Sequence, residues 1–451
     1  MITTLAALSL VASGAVSTDD AEGGEEPRPN VLLIITDDQR RGLQVMRQTR
    51  ARLRERGVDY PRAHATTPIC CPARATIFTG LYAHNHGVRN NFSTPELDHS
   101  ITIQRYLHDA GYRTGLFGKF LNLWGSKNPP PNFDEWAVYG DQVNGDEYYR
   151  SMFNVNGEAQ IIEEYSTDFL TRMSVDFIES NEADDPQPWL TVVTPNAPHR
   201  PSTPEADYAS TPVTRWEGNP AVFEADRSDK PPYVQAQSAS LKKGRAIRRQ
   251  HFRTLMSVDD MVDSLVSTLK KHGELGNTLI VFMSDNGVFW GEHGLKTKGA
   301  PYQPVLRVPM VLRWDGHLSR GATDRRLVTN ADIAPTILQA TGLSDAPAHE
   351  LDGRSLLDPT WQRDRLLHEY WPAPEADERP RWASLQTRGY HYTELYDEND
   401  VVVFKEYYDL NDDPWELDNL LGDLDPLNDP DWMTLSTQLA ADRECEGSSC
   451  P

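Results

Sequence analysis

Short, largely apolar runs recur along this chain and set the narrowest limit on its fold. They are Val31 to Thr36, Thr114 to Phe117, Trp189 to Thr194 and Thr278 to Met283. Runs without strict polar–apolar alternation suit strands buried on both faces, as in a parallel sheet covered by helices. Helical stretches lie between them: Met46 to Arg56, which stops at Gly57; Ala75 to Thr79 before Gly80; Ile101 to Ala110; Thr167 to Ser180; and Phe252 to Lys271. This alternation predicts an α/β fold, a large central sheet flanked by helices.

The ends of the strands carry the chemistry. Asp37-Asp38, Lys119, His199 and Asp285 each lie at or just beyond the end of an expected strand. In open α/β sheets the ligand site lies at the carboxyl ends of the strands, so these side chains are expected to share one cleft. The Pro- and charge-rich stretch from His199 to Gln250 lacks periodicity and reads as a surface excursion that walls a pocket. Beyond Asp358, strand-like aromatic pieces (Trp382 to Gln386, Tyr390 to Leu395, Val401 to Tyr408) predict a small antiparallel subdomain. The acidic turn region Asn411 to Asp418 follows, its charges expected to be solvated. The expected organisation is 1–28 leader and spacer, 29–357 catalytic domain, 358–425 C-terminal α+β subdomain and 426–451 acidic tail.

The chain of 451 residues carries a net charge of −23, which argues against nucleic acid as a partner, because phosphate binding needs clustered Lys and Arg. An anion site on such a body must be made locally positive by a metal, a helix N-terminus or a few basic side chains. The apolar stretch Leu5 to Val16, with small residues Ala12 to Ala15 near its end, reads as the h-region and cleavage site of a secretory signal, although a basic n-region is missing. A secreted or periplasmic protein is expected, with no membrane span, since no other stretch approaches transmembrane length. Cys445 and Cys450 are spaced to close a small loop in an oxidising compartment, whereas adjacent Cys70 and Cys71 cannot bridge each other without strain.

Cys70-Cys71-Pro72-Ala73-Arg74 has the form C-x-P-x-R and is followed by Thr79-Gly80. Alone it is compatible with a buried cysteine beside a helix start. Asp37-Asp38 alone suits a helix cap, Asp285-Asn286-Gly287 a turn, and Lys119 and Lys298 a solvated surface. His199 alone is compatible with a structural role. Together these motifs, with Gly118-Lys119 and Ala197-Pro198-His199, resemble the sulfatase family from about Asn30 to about Leu420, in the family's order. The resemblance implies an alkaline-phosphatase-like fold and hydrolysis of a sulfate ester. It implies that Cys70 is oxidised to formylglycine by a formylglycine-generating enzyme that reads C-x-P-x-R. It also implies a metal site made by Asp37, Asp38, Asp285, Asn286 and the modified Cys70. Three carboxylates and an amide oxygen form a hard donor set, which suits one Ca²⁺, then Mg²⁺, rather than zinc.

By the same resemblance, one hydroxyl of the hydrated aldehyde attacks sulfur and the alcohol leaves; the other hydroxyl loses its proton and expels sulfate. Arg74 and Lys119 would stabilise the nucleophile's oxygens, Lys298 would bind sulfate, and His199 would protonate the leaving oxygen. Ala83-His84-Asn85-His86, Asn90-Asn91 and Gly118-Lys119-Phe120-Leu121-Asn122 resemble the N-acetylglucosamine-6-sulfatase and heparan-sulfate 6-sulfatase branch. Leu121 stands where many sulfatases have His, and Gln303 where relatives often have an acid. His84, His86 and His293 stay open between pocket and structural roles. A sulfated small molecule or glycan is the expected partner, a 6-O-sulfated hexosamine first, with Trp216 and Tyr233 available to stack on a sugar. Arylsulfatase and phosphomonoester or phosphonate hydrolase activities are the alternatives; Asn286 and the lack of a His cluster at metal-ligand spacing favour sulfate and one hard metal.

Overall fold

The computed structural model describes residues 28–140, 147–184, 187–373 and 379–451. The expected leader, apart from Arg28, lies outside them. Among the described residues the main sheet has ten strands. Asn30–Thr36 sits in its middle, parallel to Trp189–Thr194 on one side and Thr278–Ser284 on the other. Arg113–Gly118 continues the parallel set beyond Trp189–Thr194. Every residue of Asn30–Thr36, Trp189–Thr194 and Thr278–Ser284 is buried, which is why these segments read as unbroken apolar runs.

Helices cover both faces. Ser166–Asp184 and Leu241–His272 pack on one face, through Leu170, Phe177, Val258 and Leu265 against Leu32, Ile34 and Ile280. Cys70–Thr79, Ile103–Asp109 and Ile333–Ala340 cover the other, through Ile77, Leu107 and Ile337 against Val31, Leu33 and Val281. The result is a three-layer α/β sandwich, as expected. A separate antiparallel sheet is formed by Leu366–Tyr370, Arg381–Gln386, Tyr390–Tyr396 and Val402–Asp409.

Several elements depart from the sequence reading. The helix expected to start near Phe252 begins at Leu241, capped by the Ser240 side chain, so its first three turns belong to the stretch read as an excursion. Those turns are basic on their outer face, which hides the apolar period. The stretch Met46 to Arg56 is helical as expected, over Arg47–Thr49 and Arg50–Arg54, but its second part is wound as a π-helix. The strands Glu135–Tyr139, Ser151–Val155 and Glu158–Ile162, which extend one edge, lie outside the sequence reading, although Trp136 to Tyr139 is an apolar run; the last of them is largely exposed. The acidic stretch is not wholly solvated: Glu416 is buried and accepts from His391 Nδ1 at 2.6 Å and from the Gln303 N–H at 2.9 Å. Beyond residue 426 lies the helix Trp432–Asp442, and the Cys445–Cys450 disulfide packs against the small sheet. No helix among the described residues is long and apolar enough to cross a membrane.

Candidate active site

Four neighbouring strands end at one place. Asp37 and Asp38 follow Asn30–Thr36, Lys119 follows Arg113–Gly118, His199 lies on the loop after Trp189–Thr194, and Asp285-Asn286 follow Ser284. Their backbones are laced together: Asp37 N–H donates to Ala197 O at 3.2 Å and Asp285 N–H to Thr36 O at 3.1 Å. Gly118 is required here, because a Cβ on it would meet Thr194 O at 2.0 Å. Asp38 takes a left-handed conformation, φ 67°, which Asp tolerates through its short polar side chain.

Cys70 is the first residue of the helix Cys70–Thr79, following extended Ile69. Asn91 Oδ1 accepts the Cys71 N–H at 3.0 Å, satisfying one free donor of that helix start. The helix is buried along its whole length and ends at left-handed Gly80. Cys70 Sγ lies 3.4 Å from Asp37 Oδ1 and 2.7 Å from Lys298 Nζ. One turn on, Arg74 is fully buried and bonds Asp285 Oδ2 at 3.0 Å, Asp37 Oδ2 at 3.4 Å and Lys119 O at 2.7 Å. Lys119 Nζ donates to Asp37 and Lys298 Nζ to Asp38. His199 Nε2 is 3.9 Å from Asp38 Oδ2, and its carbonyl accepts from Tyr148 OH at 2.5 Å.

Asp37, Asp38 and Asp285 place carboxylate oxygens within 4.8 Å of one another. Three carboxylates face three cations, so the cluster is close to neutral, as burial demands. Burial pushes the Asp37 carboxyl upward, but Lys119 first, then His199, Lys298 and Arg74, hold it well below the usual range. Asp38 is also lowered, against burial, chiefly by Lys298. Asp285 is raised by burial and then by Asp37, despite Arg74. Asn286 Nδ2 donates to Asp38 Oδ1 at 2.6 Å, and its Oδ1 lies 3.4 Å from Lys298 Nζ. This all-oxygen set fits a hard divalent cation.

The two cysteines differ. Burial, then Asp37, pushes the Cys70 thiol far above its ordinary range despite Lys119 and Lys298. An unmodified Cys70 is therefore a neutral thiol and a weak nucleophile. Cys71 is pushed up to about 11 by burial and accepts the Asn122 N–H on Sγ at 3.1 Å, which is a packing role.

The cluster opens into a cavity of about 710 Å³ that Asp38, His199 and Lys298 line. Its wall includes Asn90, Asn91 and Asn122 and the aromatics Phe92, Tyr370 and Trp371. Arg200, Lys243, Lys296 and Arg379 make it basic, answering the problem of an anion site on an acidic chain. Trp216 and Tyr233, expected to stack on a sugar, do not line it. Trp216 packs edge-on against Trp290 and Tyr233 against the core around Tyr302. The open histidines are structural. His84 bonds Glu369 and Cys445 O, His86 bonds Thr76 beneath the helix, and His293 bonds Glu224. Trp371, Lys296, Arg379 and His251 escaped the sequence reading, since nothing local marks a residue that reaches a pocket built elsewhere.

The family profile Sulfatase matches residues 29–343, and the profile N-sulphoglucosamine sulphohydrolase, C-terminal, matches residues 291–443. The chain is 34% identical to the extracellular sulfatase SULF-1 homolog of Drosophila melanogaster across 78% of its own length, and spans 33% of that relative. It is 29% identical to the N-acetylglucosamine-6-sulfatase of Homo sapiens, covering 99% of this chain and 90% of the relative. A solved structure in complex with its substrate, D-glucosamine-2-N,6-O-disulfate, superposes with a TM-score of 0.80 at 23% identity, over 92% of this chain and 97% of the other.

Proposed function

The chain belongs to the sulfatase family and is a sulfuric ester hydrolase; from that premise we propose that it removes a 6-O-sulfate from a hexosamine-containing glycan, with formylglycine at position 70 and one Ca²⁺. The observation that carries the reading is the position of Cys70 Sγ, between Asp37 Oδ1 at 3.4 Å and Lys298 Nζ at 2.7 Å, beside the floor of the cavity. Sγ stands where the hydroxyl oxygens of a hydrated formylglycine would lie. Relatives named for N-acetylglucosamine-6-sulfatase activity support the substrate class, as do the basic, aromatic walls.

Asp37, Asp38, Asp285 and Asn286 would hold the metal, which when bound lowers the pKa of a coordinated hydroxyl and polarises sulfuryl oxygens. With formylglycine at position 70, its hydrate would supply one hydroxyl to attack sulfur as the sugar oxygen leaves, and a second whose deprotonation would expel sulfate and restore the aldehyde. Lys298 binds sulfate from the cavity side and faces position 70. Arg74, locked between Asp37 and Asp285, sets the carboxylates, while Lys119 compensates Asp37. His199, one-fifth exposed at the cavity edge, protonates the leaving sugar oxygen. Cys70 to Arg74 are buried, so a formylglycine-generating enzyme must meet the motif before the domain closes. The Cys445–Cys450 disulfide supports a secreted or periplasmic location.

The test is a panel of defined sulfated mono- and disaccharides plus an aryl sulfate and a phosphonate ester, assayed with the verified formylglycine form. Release of sulfate from glucosamine 6-sulfate is expected. Release only from 2-O- or 4-O-sulfated sugars discards the substrate assignment, and turnover of the phosphonate ester alone discards the sulfate chemistry.

A further inference from the structure

One wall of the cavity comes from the helix Leu241–His272, and one residue on it has no role in the chemistry above. His251 is 4% exposed and lines the cavity with Ile247 and Val288. Its Nδ1 lies 3.4 Å from Trp290 Nε1. An indole nitrogen only donates, so Nδ1 must be the unprotonated nitrogen and Nε2 carries the proton. Among the described residues Nε2 makes no hydrogen bond, and His251 lines the cavity.

Trp290 is held rigidly enough to impose this tautomer. Its backbone N–H donates to Glu292 Oε2 at 2.7 Å, and the Arg40 guanidinium covers its ring at 4.1 Å. Trp216 and Phe252 each pack edge-on against it at 5.7 Å. The helix also approaches without a side chain: a Cβ on Gly244 would lie 1.6 Å from Trp290 O. Burial lowers the imidazole to about 4, so it stays neutral near neutral pH and moves no proton there. The anionic end of the substrate is already met by Lys298, whereas a neutral, fixed N–H suits an uncharged oxygen.

We infer that His251 is a specificity-determining residue whose Nε2–H donates to a hydroxyl or ring oxygen of the sugar next to the scissile ester. The inference rests on the sulfatase reading but not on the 6-O position. A buried donor left unpaired is penalised, so a substrate without that acceptor is bound less well.

The test compares His251→Leu, His251→Gln and Trp290→Phe on whichever sulfate ester the wild type cleaves best, with equal formylglycine content and thermal midpoints recorded. His251→Leu should raise KM about tenfold and leave kcat within about threefold, as the loss of one binding hydrogen bond predicts. His251→Gln, which returns an N–H at similar reach, should stay within about threefold of wild type. Trp290→Phe should weaken binding two- to threefold, roughly, by releasing the tautomer. Equal losses in the Leu and Gln variants, or wild-type KM in the Leu variant, overturn the inference. A wild type that cleaves a sulfate ester other than the 6-sulfate overturns the substrate assignment instead, and the variants still decide His251 on that ester.

Discussion

Replacing Lys298 by alanine removes the cation nearest position 70. Its Nζ lies 2.7 Å from Cys70 Sγ, pairs with Asp38 and stands 3.4 Å from Asn286 Oδ1. Burial alone would lower this ammonium, yet the carboxylates around it, Asp38 first and then Asp37, raise it well above its ordinary value, so it is charged near neutral pH. A fixed donor aimed at developing negative charge in a water-poor site contributes about 3–4 kcal/mol to the transition state. Lys298→Ala should therefore lower kcat by about 10²–10³, equally at all pH values where the protein is folded. Lys243, an exposed residue on the cavity rim, serves as the control, and Lys243→Ala should change KM by only a few-fold, roughly. The assay is initial rate against substrate concentration, with formylglycine occupancy from mass spectrometry and metal content from elemental analysis. A fall of tenfold or less in Lys298→Ala, with both occupancies unchanged, would refute this role.

Further expectations concern the metal, the acidic stretch and acid stability. Elemental analysis should find one Ca²⁺ per chain, and Asp285→Ala should lose it together with activity; stoichiometric zinc, or full activity after exhaustive chelation, contradicts the donor argument. In the Asn411–Asp418 stretch, exposed Asp412→Ala should be silent, while Glu416→Ala should cost about 2–3 kcal/mol in urea unfolding, because it strips His391 and the Gln303 N–H of their acceptor. Equal stabilities of the two variants would reject that assignment. Burial holds His86 at about 3 and His251 at about 4, and also depresses His64 and His368. Their folded values lie below the unfolded one, so this contribution is complete above about pH 6.5 and is lost as pH falls toward the folded values, by about 2–3 kcal/mol at about pH 4.5 for each of His86 and His251. His84 acts oppositely: despite burial, Glu369 raises it, and its contribution disappears as pH rises through the folded value. A thermal midpoint that stays flat from pH 6.5 to 4.5 would count against the buried neutral histidines.

The parts of this molecule that could be read from sequence are those with a local physical signature. Asn30–Thr36, Trp189–Thr194 and Thr278–Ser284 are buried on both faces, so their composition alone marks them, and the site residues follow directly at their ends. Edge strands such as Glu158–Ile162, largely exposed, carry no such mark. The first turns of Leu241–His272 show basic side chains to solvent, and their inward residues Ile247 and His251 line the cavity at the margin of the core. Trp216 was expected at the sugar because an aromatic in a polar loop looks exposed. In the fold it is part of the packing that fixes Trp290. Trp371, by contrast, follows the first strand of the small C-terminal sheet, whose docking against the main domain no local pattern specifies.

The central claim is that position 70 acts as an aldehyde and not as a thiol. A thiol that burial keeps protonated cannot attack sulfur readily, and it has no second hydroxyl with which to expel sulfate. Mass spectrometry of the tryptic peptide Ala63–Arg74 from active protein should show an aldehyde at position 70 and an intact thiol at Cys71. Turnover should scale with the aldehyde fraction across preparations, vanish in Cys70→Ala and persist in Cys71→Ser. Full sulfatase activity from a preparation carrying only unmodified Cys70 would contradict the account.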